Sequence, residues 1–493
     1  MGNASIPRLV LRLAIVSGLL SFTACHVPVG SNRAPDGSAR GGSAASATNP
    51  SAAWDGRQGS GFATISSDER EAERGSPVLP VFLIDLNDRQ VAKGAETAGV
   101  LKVIEDHDGS LKDLANREAS MQSAVSLEIH GDISATLAKK SYRLELVDHE
   151  QNDHDLPLLG LPPGSDWVLH SCGFDPTCLR NVLAYRLGRT FGHYAPRTQF
   201  IELFVNDVYQ GLYVLVERVR RDKHRVDLPR PARAADGDIT GGYIFKMDLG
   251  EGQPTDRVPR DWVSPVTPTV YSYHYPRFDE ITNAQKAYLR DHLSRFEALM
   301  RSSKWNDTDA GYRRWLDLPS WVDFALLQEL SLNPDAYFKS VYLQKWPRSM
   351  GDKIAIGPFW DFDLAFGVAQ FRDARNVQAW AHTMNRFGAE RVLYDPPREV
   401  PYVPEYWERL WTDPAFHRLL RCRWQELRKG PLRVETLNAM IDRWVEQLAV
   451  ARPRDAALWS ALPKDGYQGG DEALKAFLGE RLAWMDANLP GTC

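Results

Sequence analysis

Residues 357–367 read Gly357-Pro358-Phe359-Trp360-Asp361-Phe362-Asp363-Leu364-Ala365-Phe366-Gly367. Two carboxylates stand inside an aromatic and aliphatic run, where an unpaired charge is costly to bury. Such a placement asks for a partner. A divalent cation is one, because hard Mg²⁺ prefers carboxylate oxygen and offsets charge that apolar surroundings reject. The plainer alternative is a buried strand end whose aspartates cap the next turn.

Upstream, Leu318 to Leu332 carries Trp321, Phe324, Leu327 and Leu330 on one helical face, and Ser320 with Asp323 resembles a capping box. The helix has to stop at Asn333-Pro334-Asp335, since the residue before a proline avoids the α region. Asp335 therefore emerges at the mouth of a loop that leads into a strand over Val341 to Gln344. Asp361 follows across one expected strand pair.

Nearer the N-terminus the pattern is β. Val81 to Leu86, Val100 to Ile104, Val125/Leu127/Ile129 and Tyr142/Leu144/Leu146 show apolar runs or period-two alternation between polar turns, which predicts an antiparallel sheet. The last of these strands is entered through Lys139 and Lys140. A helix then starts from Asp175 and Pro176, with Leu179, Val182, Leu183, Leu187 and Phe191 on one face. Arg180 and Asn181 fall near its N-terminal end, where the helix dipole favours anions. A hairpin follows over Ile201 to Val216, then the basic run Arg218 to Arg225, which reads equally well as a solvated turn. Gly241 to Asp248 forms a further strand, and a polar, proline-bearing segment extends to about residue 275. Beyond 400, Val434 to Leu448 and Leu474 to Leu489 show helical apolar stripes, which are core. Asp148-His149-Glu150 and Asp153-His154-Asp155 lie in a polar turn without ligand spacing and read as surface.

The order of these parts is that of a phosphoryl-transfer site: a strand lysine, a loop aspartate after a helix, and an aspartate after a short hairpin. Phosphoryl transfer is mainly positioning plus charge neutralisation, so cations must face carboxylate-bound metal. The stretches AKKSYRLEL, LLGLPPGSDWVLHSC, DPTCLRNVLAYRLGR, VNDVYQGLYVLVERV, ITGGYIFKMD, ELSLNPDAYFKSVYLQK and GPFWDFDLAFG occur in one order. Together they resemble the spore-coat-protein-H (CotH) kinase family, from about residue 79 to 490. The resemblance implies an α+β, atypical protein-kinase-like fold, with an antiparallel β-rich lobe over about 76–250 and a mainly helical lobe over about 280–493. It implies ATP- and Mg²⁺- or Mn²⁺-dependent phosphorylation of Ser or Thr on exported proteins. Lys140 would then hold the ATP phosphates, with Lys139 as substitute and Arg180 and Asn181 supporting the phosphate side. Asp335 would be the catalytic aspartate, Asp361 a metal ligand, and Asp363 a second ligand or a brace.

Two positions depart from that pattern. Ser340 stands where active members carry an asparagine for the second metal, and a hydroxyl is the poorer ligand. A single glycine, Gly131, precedes Lys140 where a kinase offers a glycine-rich loop. A coat-type scaffold without turnover is the alternative these departures raise. A hydrolase using Asp335 and Asp361 as acid and base is a third reading, without a visible sugar platform.

Composition bounds the rest. A chain of 493 residues buries a large core, and a net charge of −5 gives no reason to expect a nucleic-acid partner. Arg8 and Arg12 precede the apolar run Leu13 to Leu20, too short to span a bilayer and suited to a secretory signal. Phe22-Thr23-Ala24-Cys25 follows, resembling a bacterial lipobox with Cys25 as the lipidated residue. Phe22 is unusual there, which leaves plain secretion as the alternative. Residues 26–75 are Ser-, Ala- and Gly-rich and read as a flexible linker, leaving 76–493 as the folded part. This predicts an exported bacterial lipoprotein held in the cell envelope, in the periplasm or at the surface. Of five cysteines, Cys172, Cys178, Cys422 and Cys493 then remain, open to three pairings, one of which joins the close pair Cys172/Cys178 and leaves Cys422 with Cys493. If Cys25 carries the anchor, Cys25→Ser is expected to move the protein from the detergent phase to the aqueous phase in a phase-partition assay of bacterial extracts.

Overall fold

The computed structural model describes residues 77–131, 133–233, 237–248, 261–267, 269–385, 387–390, 398–401, 403–460 and 470–493. The signal segment, Cys25, the linker and Asp132 lie outside the described residues.

Nine strands open the described chain: β1 (Val81–Asp85), β2 (Thr97–Ile104), β3 (Met121–His130), β4 (Ser141–Val147), β5 (Leu156–Leu158), β6 (Leu161–Gly164), β7 (Asp166–His170), β8 (Thr198–Val205) and β9 (Val208–Glu217). Seven of them close into a barrel in the order β1-β2-β3-β4-β7-β9-β8, while β5 and β6 form a separate two-stranded ladder. Strictly alternating directions cannot close a ring of seven, so one pair has to be parallel. That pair is β1 with β8, Val81 opposite Glu202. The β-rich part is therefore not antiparallel throughout. Alternate residues fill the barrel interior: Phe82, Leu101, Val125, Leu127, Leu144, Leu146, Trp167, Leu169, Ile201, Leu203, Tyr213 and Leu215 are fully buried there. The β8–β9 turn is tight because Asn206 and Asp207 both take positive φ, 47° and 58°, as residues of this type tolerate.

Helix α1 (Arg180–Thr190) begins later than its sequence suggests. Cys178 has φ 59° and cannot be helical, so Asp175 to Cys178 makes a turn of its own, closed by the Cys172–Cys178 disulfide. Asp175 still receives the Arg180 backbone N–H, at 2.9 Å.

A second sheet is ordered β11-β12-β10-β13-β14. It contains β10 (Tyr243–Met247), β11 (Asp261–Val263), β12 (Val270–Tyr275), β13 (Val341–Lys345) and β14 (Ile354–Ile356). The segment read as polar and irregular up to 275 thus supplies two strands. Alternation in Val270-Tyr271-Ser272-Tyr273 was the available signal. Because β10 pairs with β13, Met247 opposite Val341, this sheet joins the two parts that the sequence separates at 250–280.

Around these sheets lie α2 (Asn283–Arg301), α3 (Leu318–Ser331), α4 (Ala381–Met384), α5 (Glu405–Leu410), α6 (Pro414–Arg428), α7 (Val434–Gln447), α8 (Ala451–Leu458) and α9 (Asp471–Asn488). The cap of α3 is Asp317, which accepts the Ser320 N–H, rather than a Ser320/Asp323 box; Asp323 instead pairs with Arg423 at 2.8 Å. Trp321, Phe324, Leu327 and Leu330 are buried as the helical stripe requires. Together with Trp407, Leu420, Trp424, Leu437, Ile441, Leu478 and Leu482 they form the main core.

Cys422 in α6 is bonded to Cys493, with Cα atoms 4.9 Å apart across a separation of 71 residues. Closing a loop of that length removes much denatured-state entropy. The double variant Cys422→Ala/Cys493→Ala is expected to lose about 4 kcal/mol of unfolding free energy, measured by chemical denaturation without reductant.

Candidate functional site

The stretch 357–367 is fixed first by its aromatic rings. Phe359 packs against α1 at Gly188, where an added Cβ would lie 2.4 Å from the ring, and stacks on Phe324 of α3 at 6.1 Å. Trp360 stacks on Tyr185 of α1 at 6.0 Å, and Phe362 is fully buried. The backbone between these anchors is held by α1 as well. Asp361 N–H donates to the Tyr185 hydroxyl at 3.2 Å, and Phe362 N–H donates to Asn181 Oδ1 at 2.7 Å. Asp361 itself has φ 70°, a conformation that costs a non-glycine residue about 1 kcal/mol or more. Aromatic packing on both sides sustains it.

The loop after α3 supplies the opposite wall. Leu332 ends the helix at φ 45°, and Asn333 Nδ2 donates to the Asp361 carbonyl at 3.1 Å while its Oδ1 accepts the Asp335 N–H at 3.0 Å. Asn385 Nδ2 then holds the Asn333 and Ala336 carbonyls at 2.9 and 3.3 Å. Ser340, also left-handed at φ 55°, donates its hydroxyl to Asp361 Oδ2 at 2.9 Å. Asp335 pairs with Lys339 Nζ at 3.2 Å.

Asp335, Asp361 and Asp363 therefore lie within electrostatic reach of one another, on the 333–340 loop and the 357–367 stretch. Their charges feel one another. Burial, then Asp361, Asp335 and Asp175, push the Asp363 carboxyl well above the ordinary carboxylate range, against the pull of Lys339. Burial raises Asp335 too, with Asp361 adding to it and Lys339 opposing. Burial works to lower Lys339, but Asp335 and Asp361 outweigh it and keep the ammonium charged.

The other residues singled out by the sequence occupy defined places. Arg180 is buried against Asp175 and Thr177, so its guanidinium braces the turn ahead of α1. Burial acts to raise the Asp175 carboxyl, yet Arg180 and the Thr177 bonds hold it below its usual range. Asn181 touches both the Phe362 backbone and His170 Nε2, the latter at 3.3 Å. Burial drives the His170 imidazole down to about 4, which keeps it neutral. Lys139 is 2% exposed and donates to the Leu212 carbonyl and to Asp455 of α8, both at 2.7 Å. Lys140 donates to the Ala135 carbonyl at 2.8 Å. Among the described residues neither lysine forms an ion pair with Asp335, Asp361 or Asp363. The basic run is structural: Arg218 pairs with Asp166, Arg220 with Asp155, and Arg225 with Glu217. Asp148 caps its own turn through the Glu150 and Asn152 N–H groups.

Lys339, Asn385 and Tyr185 were not singled out by the sequence, and Asn333 only as part of the helix stop. Lys339 is four residues after Asp335, a spacing that gives contact only if the loop makes a helical turn. It does, with the Lys339 N–H bonded to the Asp335 carbonyl at 3.2 Å.

Among the described residues, no three or more His, Cys, Asp or Glu side chains are grouped to hold a metal ion by themselves. Mg²⁺ bound with a nucleotide takes one or two carboxylates and completes its shell with phosphate and water. Asp361 and Asp363, hard oxygen donors short of positive charge, fit that requirement.

A model of the CotH kinase protein family matches residues 127–485. The chain belongs to the CotH kinase family, and is on that ground a kinase-like or coat-related protein with mixed α and β structure. The match begins within β3, so β1 and β2, which complete the barrel, lie before it. No curated protein matches the chain.

Because the Asp363 and Asp335 carboxyls titrate higher folded than unfolded, they favour the folded state while protonated and oppose it once ionised. Their contribution falls as pH rises from the ordinary carboxylate range through the raised values. Asp363→Asn is therefore expected to raise the thermal midpoint of the metal-free protein at pH 7.5, with the gain shrinking towards pH 4, in melts across that range.

Proposed function

We propose that the protein is an exported, ATP- and divalent-metal-dependent kinase that phosphorylates Ser or Thr of surface or periplasmic proteins, anchored to a bacterial membrane through lipid on Cys25. The observation that carries this reading is that Asp335, Asp361 and Asp363 lie within electrostatic reach of one another, in the order that the family resemblance implies. In this reading the barrel serves as the β-rich lobe, the helices after 280 as the second lobe, and the β10–β14 sheet as the connection between them.

Asp335 takes the proton of the acceptor hydroxyl. That oxygen bonds the γ-phosphorus as the bond to the β,γ-bridging oxygen breaks, and its electron pair leaves on ADP. Mg²⁺ or Mn²⁺ held by Asp361 and Asp363 would neutralise phosphate charge. Ser340, through the Asp361 carboxylate that it already holds, orients one of those ligands. Lys140 supports the phosphates more readily than Lys139. Among the described residues its ammonium has one bond, to a carbonyl of the preceding turn, to exchange for a phosphate oxygen, whereas Lys139 would leave both the Leu212 carbonyl and the Asp455 carboxylate. Arg180 and Asn181 act at a distance, by fixing α1 against the Phe362 backbone.

One observation favours a coat-type scaffold without turnover: the Ser340 hydroxyl, standing where an asparagine would bind a second metal, spends its proton on Asp361. Turnover separates the two readings. Wild type is expected to transfer label from γ-labelled ATP to an exported acceptor or to itself when Mg²⁺ or Mn²⁺ is present. Asp335→Ala and Asp361→Ala are each expected to reduce transfer by about 10²-fold or more with unchanged far-ultraviolet circular dichroism. Label transfer that is absent from wild type across both metals and varied acceptors would leave the scaffold reading standing.

A further inference from the structure

The turn between β7 and α1 is held against its own sequence. Asp175-Pro176 is an ordinary helix opening, and Asp175 already makes the contact of an N-cap, accepting the Thr177 N–H at 3.1 Å. The helix nevertheless starts at Arg180 rather than Pro176. What prevents the earlier start is the backbone of Cys178, left-handed at φ 59°, and its bridge partner Cys172 is left-handed too, at φ 57°. Cysteine does not favour that region, and such conformations persist only where the surroundings impose them. The bridge is the constraint that both residues share. The turn lies at the surface, with Pro176 exposed, so a small reductant has a way in.

Opening the bridge frees Cys178 to turn helical. Helix α1 can then begin at Pro176, with the Arg180 N–H passing from the Asp175 carboxylate, where it sits at 2.9 Å, to the Pro176 carbonyl one turn earlier. The Asn181 N–H goes to the Thr177 carbonyl, which Arg452 of α8 holds at 2.5 Å in the bridged form. The turn thus has two discrete hydrogen-bond arrangements, and the bridge selects one of them. Closure across a separation of 6 residues removes much less denatured-state entropy than the closure across 71 made by Cys422–Cys493, so the second bridge carries the larger share of global stability.

The change reaches the carboxylates through Asn181. Its Oδ1 accepts the N–H of Phe362, the residue between Asp361 and Asp363, at 2.7 Å, and its Nδ2 meets His170 at the end of β7 at 3.3 Å. The bridge spans the same two elements, tying the residues just after His170 to those just before Arg180. Asp175 also lies within electrostatic reach of Asp363. Redrawing the turn therefore moves both the acceptor that fixes the Phe362 backbone and one of the charges that Asp363 feels.

We propose that the Cys172–Cys178 bridge is a redox switch on the carboxylate site: closed, it holds α1 in the short form that fixes the Phe362 backbone, and opened, it lets α1 lengthen to Pro176 and loosens that backbone. The reductant is a dithiol. Its thiolate attacks one sulfur, the Cys172–Cys178 bond breaks and a mixed disulfide forms; the second thiol of the reductant then displaces the cysteine and closes the reductant's own disulfide. Two electrons and the two thiol protons pass to the protein, leaving both cysteines as thiols. The conformational switch stands apart from the nucleotide-dependent reading of the site, while its effect on nucleotide rests on that reading.

The test compares the full-length protein oxidised and after dithiothreitol, with alkylation and mass spectrometry locating the opened bridge. Two double variants lack the bridge and differ in what position 178 permits: Cys172→Ala/Cys178→Ala favours the helix, whereas Cys172→Ala/Cys178→Gly accepts the left-handed turn and is a poor helix former. The readouts are amide hydrogen exchange at Phe362 and calorimetric binding of ADP with Mg²⁺, and thermal melts confirm folding. Reduced wild type and the alanine variant are expected to exchange the Phe362 amide about fivefold faster or more and to bind ADP about fivefold more weakly, the scale of one lost hydrogen bond. The glycine variant is expected to stay within about twofold of oxidised wild type in both. A bridge that dithiothreitol leaves closed in the folded protein, or an opened bridge without faster exchange at Phe362, would overturn the switch. A glycine variant as impaired as the alanine variant would overturn the change in helix start. Oxidised protein that binds no ADP yet keeps the exchange response supports the switch and removes the nucleotide reading.

Discussion

A carboxylate stays inside an apolar fold only if hydrogen-bond donors or opposite charge face it. Asp361 and Asp363 impose that requirement on everything around them. Two segments answer it: the Ser340 hydroxyl, from the loop after α3, donates to the Asp361 carboxylate, while Tyr185 and Asn181 of α1 accept the Asp361 and Phe362 N–H groups and so hold the backbone that carries it. None of these contacts is local in sequence, so the site exists only when α1, the loop after α3 and the 357–367 stretch are docked together. Phe359, inserted between Gly188 and Phe324, is what docks them.

The loop that carries Asp335 is supported from below by a second set of buried charges. Glu329, at the end of α3, accepts from the Tyr337 hydroxyl at 2.7 Å, from the Ala381 N–H at 2.6 Å and from His382 Nδ1 at 2.8 Å. Arg481 of α9 is fully buried and donates to the Glu329 carbonyl at 2.7 and 2.9 Å. Breaking one partner out of such a set is far more damaging than its net worth suggests, because the remaining charge is left unpaired. The C-terminal helices are thereby tied to the loop whose geometry the chemistry needs. At the far end, Asp455 of α8 accepts from Lys139 Nζ and from the Leu212 N–H, binding the same helical layer to the barrel.

Much of this was legible in the order of residues. The period-two strands, the apolar stripes of α3, α7 and α9, and the aspartates of the site all follow from spacing and from the cost of burying charge. The start of α1 was not, because Asp175-Pro176 is an ordinary helix opening and only the positive φ of the bridged Cys178 cancels it. Strands β11 and β12 were hidden by the prolines and polar residues around them, and are strands because β10 offers an edge. Lys339 has no periodicity or motif to mark it, and only the 335–339 turn brings it to Asp335.

The sequence by itself determined that Asp335, Asp361 and Asp363 would sit at the ends of apolar elements, and that a charge so placed needs an answering group. Hydrophobic periodicity and the helix-stopping Asn333-Pro334 pair are local properties, and they suffice for that. Tertiary structure alone decided which groups answer. It turned Lys139 to Asp455 and Lys140 to its own turn, spent Arg218, Arg220 and Arg225 on Asp166, Asp155 and Glu217, and left Lys339 beside Asp335. A side chain's electrostatic partner is the nearest group in space, and residues hundreds of positions apart become nearest only when the chain has closed.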